Sequence, residues 1–213
     1  MKRTNIKVFP KSTNFRPGVF FKRHGQLLLF VSLFLFGILM GSIVVKNAPA
    51  SLSSGIESMF RDYMSARSGQ GFFVTLLNSF VSTMPFLLCA FFMGIFVLGV
   101  PCTFGVPLFR GLGLGVISGY LYANFGLKGV GFTALLIVPH GLFSSFIIIL
   151  ASKEAFAMSS KLFSVVLPSA KETRLWSSLH MYIIRFIVFM GLILASSLLD
   201  AVMAAAFMRF FTF

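Results

Sequence analysis

The sequence predicts an all-α fold: a polytopic membrane helix bundle of about five transmembrane helices, with a glycine-rich hairpin between spans 3 and 4. Three observations predict it. The 213 residues are 57% hydrophobic and only 11% charged, against roughly 25% charged in a soluble domain, and mean hydropathy is +0.94. So few charges cannot cover a water-soluble core. Several apolar runs reach the length of about 20 residues that a helix needs to cross the hydrocarbon core. Segments carrying charge, proline or glycine separate those runs.

The net charge of +13, from 18 Lys and Arg against 5 Asp and Glu, does not point to nucleic acid. A nucleic-acid site clusters its basic residues on one solvated face. Here they lie in a short N-terminal stretch and at the ends of apolar runs, the pattern of the positive-inside bias. Cys89 and Cys102 form no ligand spacing for zinc or iron–sulfur.

Residues 1–25 read as a basic cytoplasmic tail, with Lys2, Arg3, Lys7, Lys11, Arg16, Lys22 and Arg23 and no acid. Residues 26–213 read as a single transmembrane domain. Its first span, near 26–45, is uncharged and carries Gly37 and Gly41, a small-xxx-small pair that lets another helix approach closely without naming it. Asn47-Ala48-Pro49-Ala50 breaks that helix. In 51–66, Ile56, Met59, Phe60 and Tyr63 recur at helical spacing opposite Glu57, Arg61 and Asp62, so this stretch is predicted to be an amphipathic helix that packs on the bundle, or else lies on the membrane surface or against a partner, which makes it the candidate partner-binding element.

The second span, near 72–100, contains Pro85, which removes one backbone hydrogen bond and kinks the helix. Pro101 to Pro107 is predicted as a tight connection. The third span, near 108–122, holds Gly111, Gly115 and Gly119 at spacing four, a stripe without side-chain bulk suited to close helix packing. Glycines 126, 129 and 131 then turn the chain back, with Asn124 and Lys128 bracketing the turn. The fourth span, near 131–151, carries Pro139-His140-Gly141. Residues 152–178 read as an interfacial polar segment, 179–199 as the fifth span, and 200–213 as an interfacial tail that begins at Asp200. The distribution of the 18 Lys and Arg favours a cytoplasmic N-terminus.

His140 is the sharpest candidate, because an ionisable group inside a span is a functional hypothesis by default. The structural alternative is that a neutral His140 bonds a backbone oxygen in a helix loosened by Pro139 and Gly141. Gly111, Gly115, Gly119, Pro139, His140 and Gly141 are accordingly assigned to helix packing. Ser144 and Ser145 lie one turn beyond His140, but a Ser–His hydrolase also needs an orienting third group and an oxyanion hole, and no GxSxG or HExxH pattern occurs. No catalytic, cofactor-binding or metal-binding residue is predicted. The spans show almost no polar stripe and no internal repeat of the kind transporters carry.

From Arg110 to Ala151 the chain resembles the stage II sporulation protein M family. The resemblance rests on Gly111-x-x-x-Gly115-x-x-x-Gly119-Tyr120, the following glycine turn, and Val138-Pro139-His140-Gly141 in an apolar helix. Many members of the wider family carry a glutamate shortly after Pro-His-Gly; Ser144 and Ser145 stand there in this chain. The resemblance implies a non-enzymatic membrane scaffold of the sporulation engulfment machinery. It would recruit and anchor peptidoglycan hydrolases, the stage II sporulation proteins D and P, at the septal and engulfing mother-cell membrane of an endospore-forming bacterium. Its partners would be those proteins and the lipid bilayer, with no nucleic acid and no cofactor. The alternative reading is a small-solute transporter or permease-like subunit.

Overall fold

The computed structural model describes residues 17–47, 49, 54–62, 70–166 and 175–207. Its helices are α1 (Pro17–Lys46), α2 (54–62), α3 (Phe72–Ile95), α4 (Gly99–Cys102), α5 (Gly105–Phe132), a π-helical turn (Thr133–Ile137), α6 (Val138–Val166) and α7 (Leu175–Phe207). Among the described residues there are no strands.

Polarity is inverted relative to a soluble fold. Thr83, Ser144, Ser196, Ser197 and Asp200 are buried, while Leu35, Leu39, Ile43, Ile187 and Leu194 are exposed. Water would penalise that arrangement and lipid favours it, because these hydroxyls find internal partners and each outward side chain meets hydrocarbon.

Gly25–Lys46, Phe72–Ile95 and Trp176–Phe207 are each long and apolar enough to cross a bilayer, as is the 67-residue stretch Gly99–Val165. That last stretch is two crossings, since a straight helix of its length would run to about 100 Å against a core of about 30 Å. It reverses at Gly126, where φ is 52° and ψ −128°, a left-handed conformation that suits glycine. Gly129 then lies against the carbonyl of Leu121, which a continuous helix would hold two turns away. Asn124 donates from Nδ2 to the carbonyl of Tyr120 at 3.0 Å, satisfying a backbone acceptor freed by the turn. The five predicted crossings and the hairpin between the third and fourth are therefore present.

Boundaries differ from expectation at four places. Helix α1 already begins at Pro17, inside the stretch predicted as a tail; proline suits a first helical turn because its missing N–H would be unsatisfied there anyway. The second span ends at Ile95, the short helix α4 straddles the predicted junction between that span and the tight connection, and α5 begins at Gly105, inside the predicted connection. Helix α6 runs unbroken to Val166. Ser152, Ala155 and Ser159, placed by sequence in an interfacial segment, are buried, because their small side chains let α6 pack closely on its neighbours. Ser159 Oγ donates to the carbonyl of Phe96 at 2.7 Å, capping the end of α3. Helix α7 continues through Asp200 to Phe207, so Asp200 does not begin a tail. The predicted interfacial residues 167–174 and the terminal 208–213 lie outside the described residues, as does 1–16 of the predicted tail.

The glycine stripe packs where the sequence left the partner open. Helices α1 and α5 run parallel, and a Cβ on Gly111 would strike the carbonyl of Phe34, one on Gly115 the carbonyl of Ile38, and one on Gly119 would come within 3.1 Å of Ser42 Cα. Gly37 and Gly41 face Leu108 and Leu112 of α5 in return. Ser42 Oγ bridges the pair, donating to Ile38 O at 3.0 Å and lying 3.2 Å from Gly115 O.

Candidate functional site

The site grows from three local irregularities. Pro139 has no N–H to give the carbonyl of Leu135, and the backbone ahead of it widens into the π-turn, with Val138 N–H reaching back to Thr133 O. Such turns shift the register of the side chains that follow. His140 therefore points toward α7, where its Nδ1 lies 3.0 Å from both the carbonyl and the hydroxyl of Ser196. A carbonyl only accepts, so Nδ1 carries the proton. Gly141 leaves room for Leu114, whose Cδ2 would stand 3.1 Å from a Cβ there.

The second irregularity is Asp200, buried about two turns before the end of an apolar helix. It accepts a hydrogen bond from Ser79 of α3, whose own carbonyl takes the hydroxyl of Thr83 at 3.0 Å. The third is Arg110. Its Nη2 donates to Ser144 Oγ at 2.7 Å, its guanidinium sits 5.3 Å above the Phe86 ring, and its Nε is buried with no partner. Among the described residues no carboxylate pairs with it.

These three groups line one cavity of about 520 Å³. Its apolar wall comes from α5 and the π-turn through Leu114, Ile117, Leu136 and Ile137. Its opposite wall is the face of α3 that carries Thr75, Asn78, Ser79 and Ser82, a polar stripe where the sequence was read as showing almost none. Those side chains are engaged locally: Asn78 Nδ2 with Gln70 Oε1 at 3.1 Å, Thr75 with Gly71 O at 3.3 Å, and Ser82 with Ser79 O at 2.9 Å. Helix α2 closes one end with Ile56, Met59 and Phe60. The volume falls in the range of small-molecule pockets, roughly 300–1,000 Å³, and well beyond the water-sized voids of a close-packed interior.

The sequence-assigned residues separate into groups. Gly111, Gly115 and Gly119 form the α1–α5 contact, away from the chemistry. Pro139, His140 and Gly141 shape the cavity wall. Ser144 is engaged by Arg110 and donates to Gly141 O at 3.2 Å, while His140 is held by Ser196; the Ser144–His140 pairing considered from sequence is replaced by these contacts. Phe60 is buried against Tyr120 at 5.6 Å, Phe125 at 5.8 Å and Phe132 at 6.2 Å between ring centroids. Ile56 is half-buried beside it, and Met59 is 76% exposed. Tyr63 lies outside the described residues. Sequence reasoning missed Arg110 and Asp200 as interior groups. The signals were present: Ala201 to Phe207 continues apolar past Asp200, and Thr75, Ser79 and Thr83 recur every fourth residue on α3.

No curated protein and no solved structure matches the chain. The family described as Stage II sporulation protein M matches residues 30–208, from the first span to the end of the last. This chain, a multi-pass membrane protein by its helices, belongs to the stage II sporulation protein M family.

Proposed function

We propose that the protein is a non-enzymatic membrane scaffold of the sporulation engulfment machinery, which recruits and anchors peptidoglycan hydrolases at the septal and engulfing mother-cell membrane. The observation that carries this reading is helix α2. Phe60 roots it in an aromatic cluster between α5 and the hairpin, and the Glu57–Arg61 ion pair braces its outer surface. Met59 stands out from it at 76% exposure. A short helix held this firmly on a membrane bundle presents a fixed apolar contact to a soluble domain, at low entropic cost on binding. With a cytoplasmic N-terminus, as the charge distribution favours, α2 faces the cell wall, where stage II sporulation proteins D and P are the expected partners.

The test is affinity purification from sporulating cells in mild detergent, followed by identification of the proteins that accompany the bait. Recovery of wall hydrolases supports the scaffold; their consistent absence, with crosslinking also negative, sinks it. The rival reading, a permease-like subunit, draws its support from the cavity. A His140→Ala variant separates the two: normal engulfment with lost solute flux favours transport, and mislocalised hydrolases favour the scaffold.

A further inference from the structure

We propose that the cavity between α3 and α5 is a binding site for one anionic membrane lipid, with its phosphate on the Arg110 guanidinium and an acyl chain along Leu114, Ile117 and Leu136. The site stands independently of the scaffold reading.

The first argument is charge. A guanidinium stays protonated and offers five N–H donors. Arg110 spends one of them on Ser144 and leaves Nε buried without a partner. Its other contact is the face of Phe86. A cation held inside a membrane bundle without a carboxylate calls for a counter-charge from elsewhere. A long basic side chain this close to a helix end ordinarily extends to the interface; Arg110 instead turns onto Phe86 and Ser144.

The second argument is the lining. The α3 hydroxyls and amides are bonded to one another or to the backbone, and Asp200 takes Ser79. What the cavity offers an occupant is an apolar wall on α5 and the π-turn, a polar α3 wall whose groups are engaged locally, and one cationic anchor with donors to spare, Arg110; Asp200, the carboxylate that shares the cavity, holds Ser79.

The third argument is access. Asn78 and Ser82 of α3 and Ile117 of α5 line the cavity and are themselves exposed. They stand well inside their helices, at the depth of the hydrocarbon, so the mouth opens sideways between α3 and α5. A solute entering there comes from the bilayer. Arg110 lies five residues, about 7.5 Å along the axis, beyond Gly105. The cavity runs from it toward Tyr120, about 15 Å farther along α5. A head at Arg110 lies near the Gly105 end of α5, and its tail runs past mid-span toward Tyr120.

The experiment uses the full-length protein purified in mild detergent and titrated with dioleoylphosphatidylglycerol, dioleoylphosphatidylcholine or inorganic phosphate. Thermal unfolding and native mass spectra are read. Phosphatidylglycerol is expected to raise the unfolding temperature saturably and to remain as a bound adduct. Phosphatidylcholine has the same chains and the same phosphodiester but adds a trimethylammonium that the Arg110 cation repels, so it should need at least about ten-fold more for half-saturation, a net-charge effect at short range in a site of low polarity. Phosphate alone should do nothing. Arg110→Gln should erase the preference between the two lipids. Ser144→Glu, which supplies an internal carboxylate to an intact Arg110, should erase it as well, and it decides the matter if the Arg110→Gln bundle does not fold. Equal responses to both lipids, or a preference that survives Ser144→Glu, overturns the proposal. A shift with phosphate alone would reassign the anchor to a free anion, and a lipid-free dimer in the mass spectrum would assign the mouth to a second copy of the chain.

Discussion

His140 on α6 and Ser196 on α7 are tied at two points: Nδ1 donates to the Ser196 carbonyl at 3.0 Å, and the Ser196 hydroxyl reaches the His140 carbonyl at 3.4 Å. The bond crosses between two helices that are also joined by the Arg185–Glu154 ion pair and by apolar packing. Its first consequence is on stability. His140→Ala is expected to lower bundle stability by about 1–2 kcal/mol, the worth of an interhelical hydrogen bond in a membrane protein. His140→Asn should recover part of that loss, because its amide nitrogen falls near the position of Nδ1. Unfolding midpoints in detergent would check this, and an unchanged midpoint in the alanine variant refutes the tether.

The α1–α5 contact gives a comparison within one helix. A Cβ at Gly115 meets the backbone of Ile38, while one at Gly113 meets nothing within 4 Å. Gly115→Ala should therefore destabilise by about 1–3 kcal/mol through overpacking. Gly113→Ala should be neutral or stabilising by up to about 1 kcal/mol, since alanine is the better helix former. Paired thermal melts would show the order, and the reverse order is incompatible with this packing.

Asp200 and Ser79 link α7 to α3 in a buried hydrogen bond. Asp200→Ala strands the Ser79 hydroxyl and should cost about 1–3 kcal/mol. The double variant with Ser79→Ala should cost less than the sum of the two single changes, because the orphaned partner is removed too. A double-mutant cycle that closes additively would show the pair to be energetically silent.

On α2 the two neighbours should behave oppositely. Phe60→Ala removes the anchor of the helix from the Tyr120–Phe125–Phe132 cluster, so amide exchange across 54–62 is expected to rise sharply. Met59→Glu should leave exchange and melting unchanged while reducing recovery of wall hydrolases in purification. Undiminished recovery would remove Met59 from the proposed contact.

Much of the architecture could be read from one chain. The apolar runs, the reversal near Gly126 and the glycine stripe at 111, 115 and 119 follow from local requirements: a length that spans hydrocarbon, a left-handed turn and a bulk-free helix face. The lengths of α6 and α7 were less legible. Ser152, Lys153 and Glu154 looked like the start of an interface, yet small hydroxyls pack inside a bundle as readily as alanine, and only the chain's neighbours show which choice was made. Asp200 misled for a similar reason: a carboxylate reads as a boundary unless the residue that satisfies it, Ser79, is known to stand opposite, and 121 residues separate the two.

The sequence by itself determined that this chain is a membrane bundle with a hairpin between its third and fourth crossings, because those properties depend on composition and on residues within a few turns of one another. Only the tertiary structure decided that Gly37 and Gly41 meet the 111–119 stripe, that His140 belongs to Ser196 rather than Ser144, and that Arg110, His140 and Asp200 share one cavity. Each of those facts is a pairing between distant segments. In a bilayer, where hydrophobicity does not rank one helix neighbour over another, such pairings are settled by close packing and by the partner each buried polar group finds.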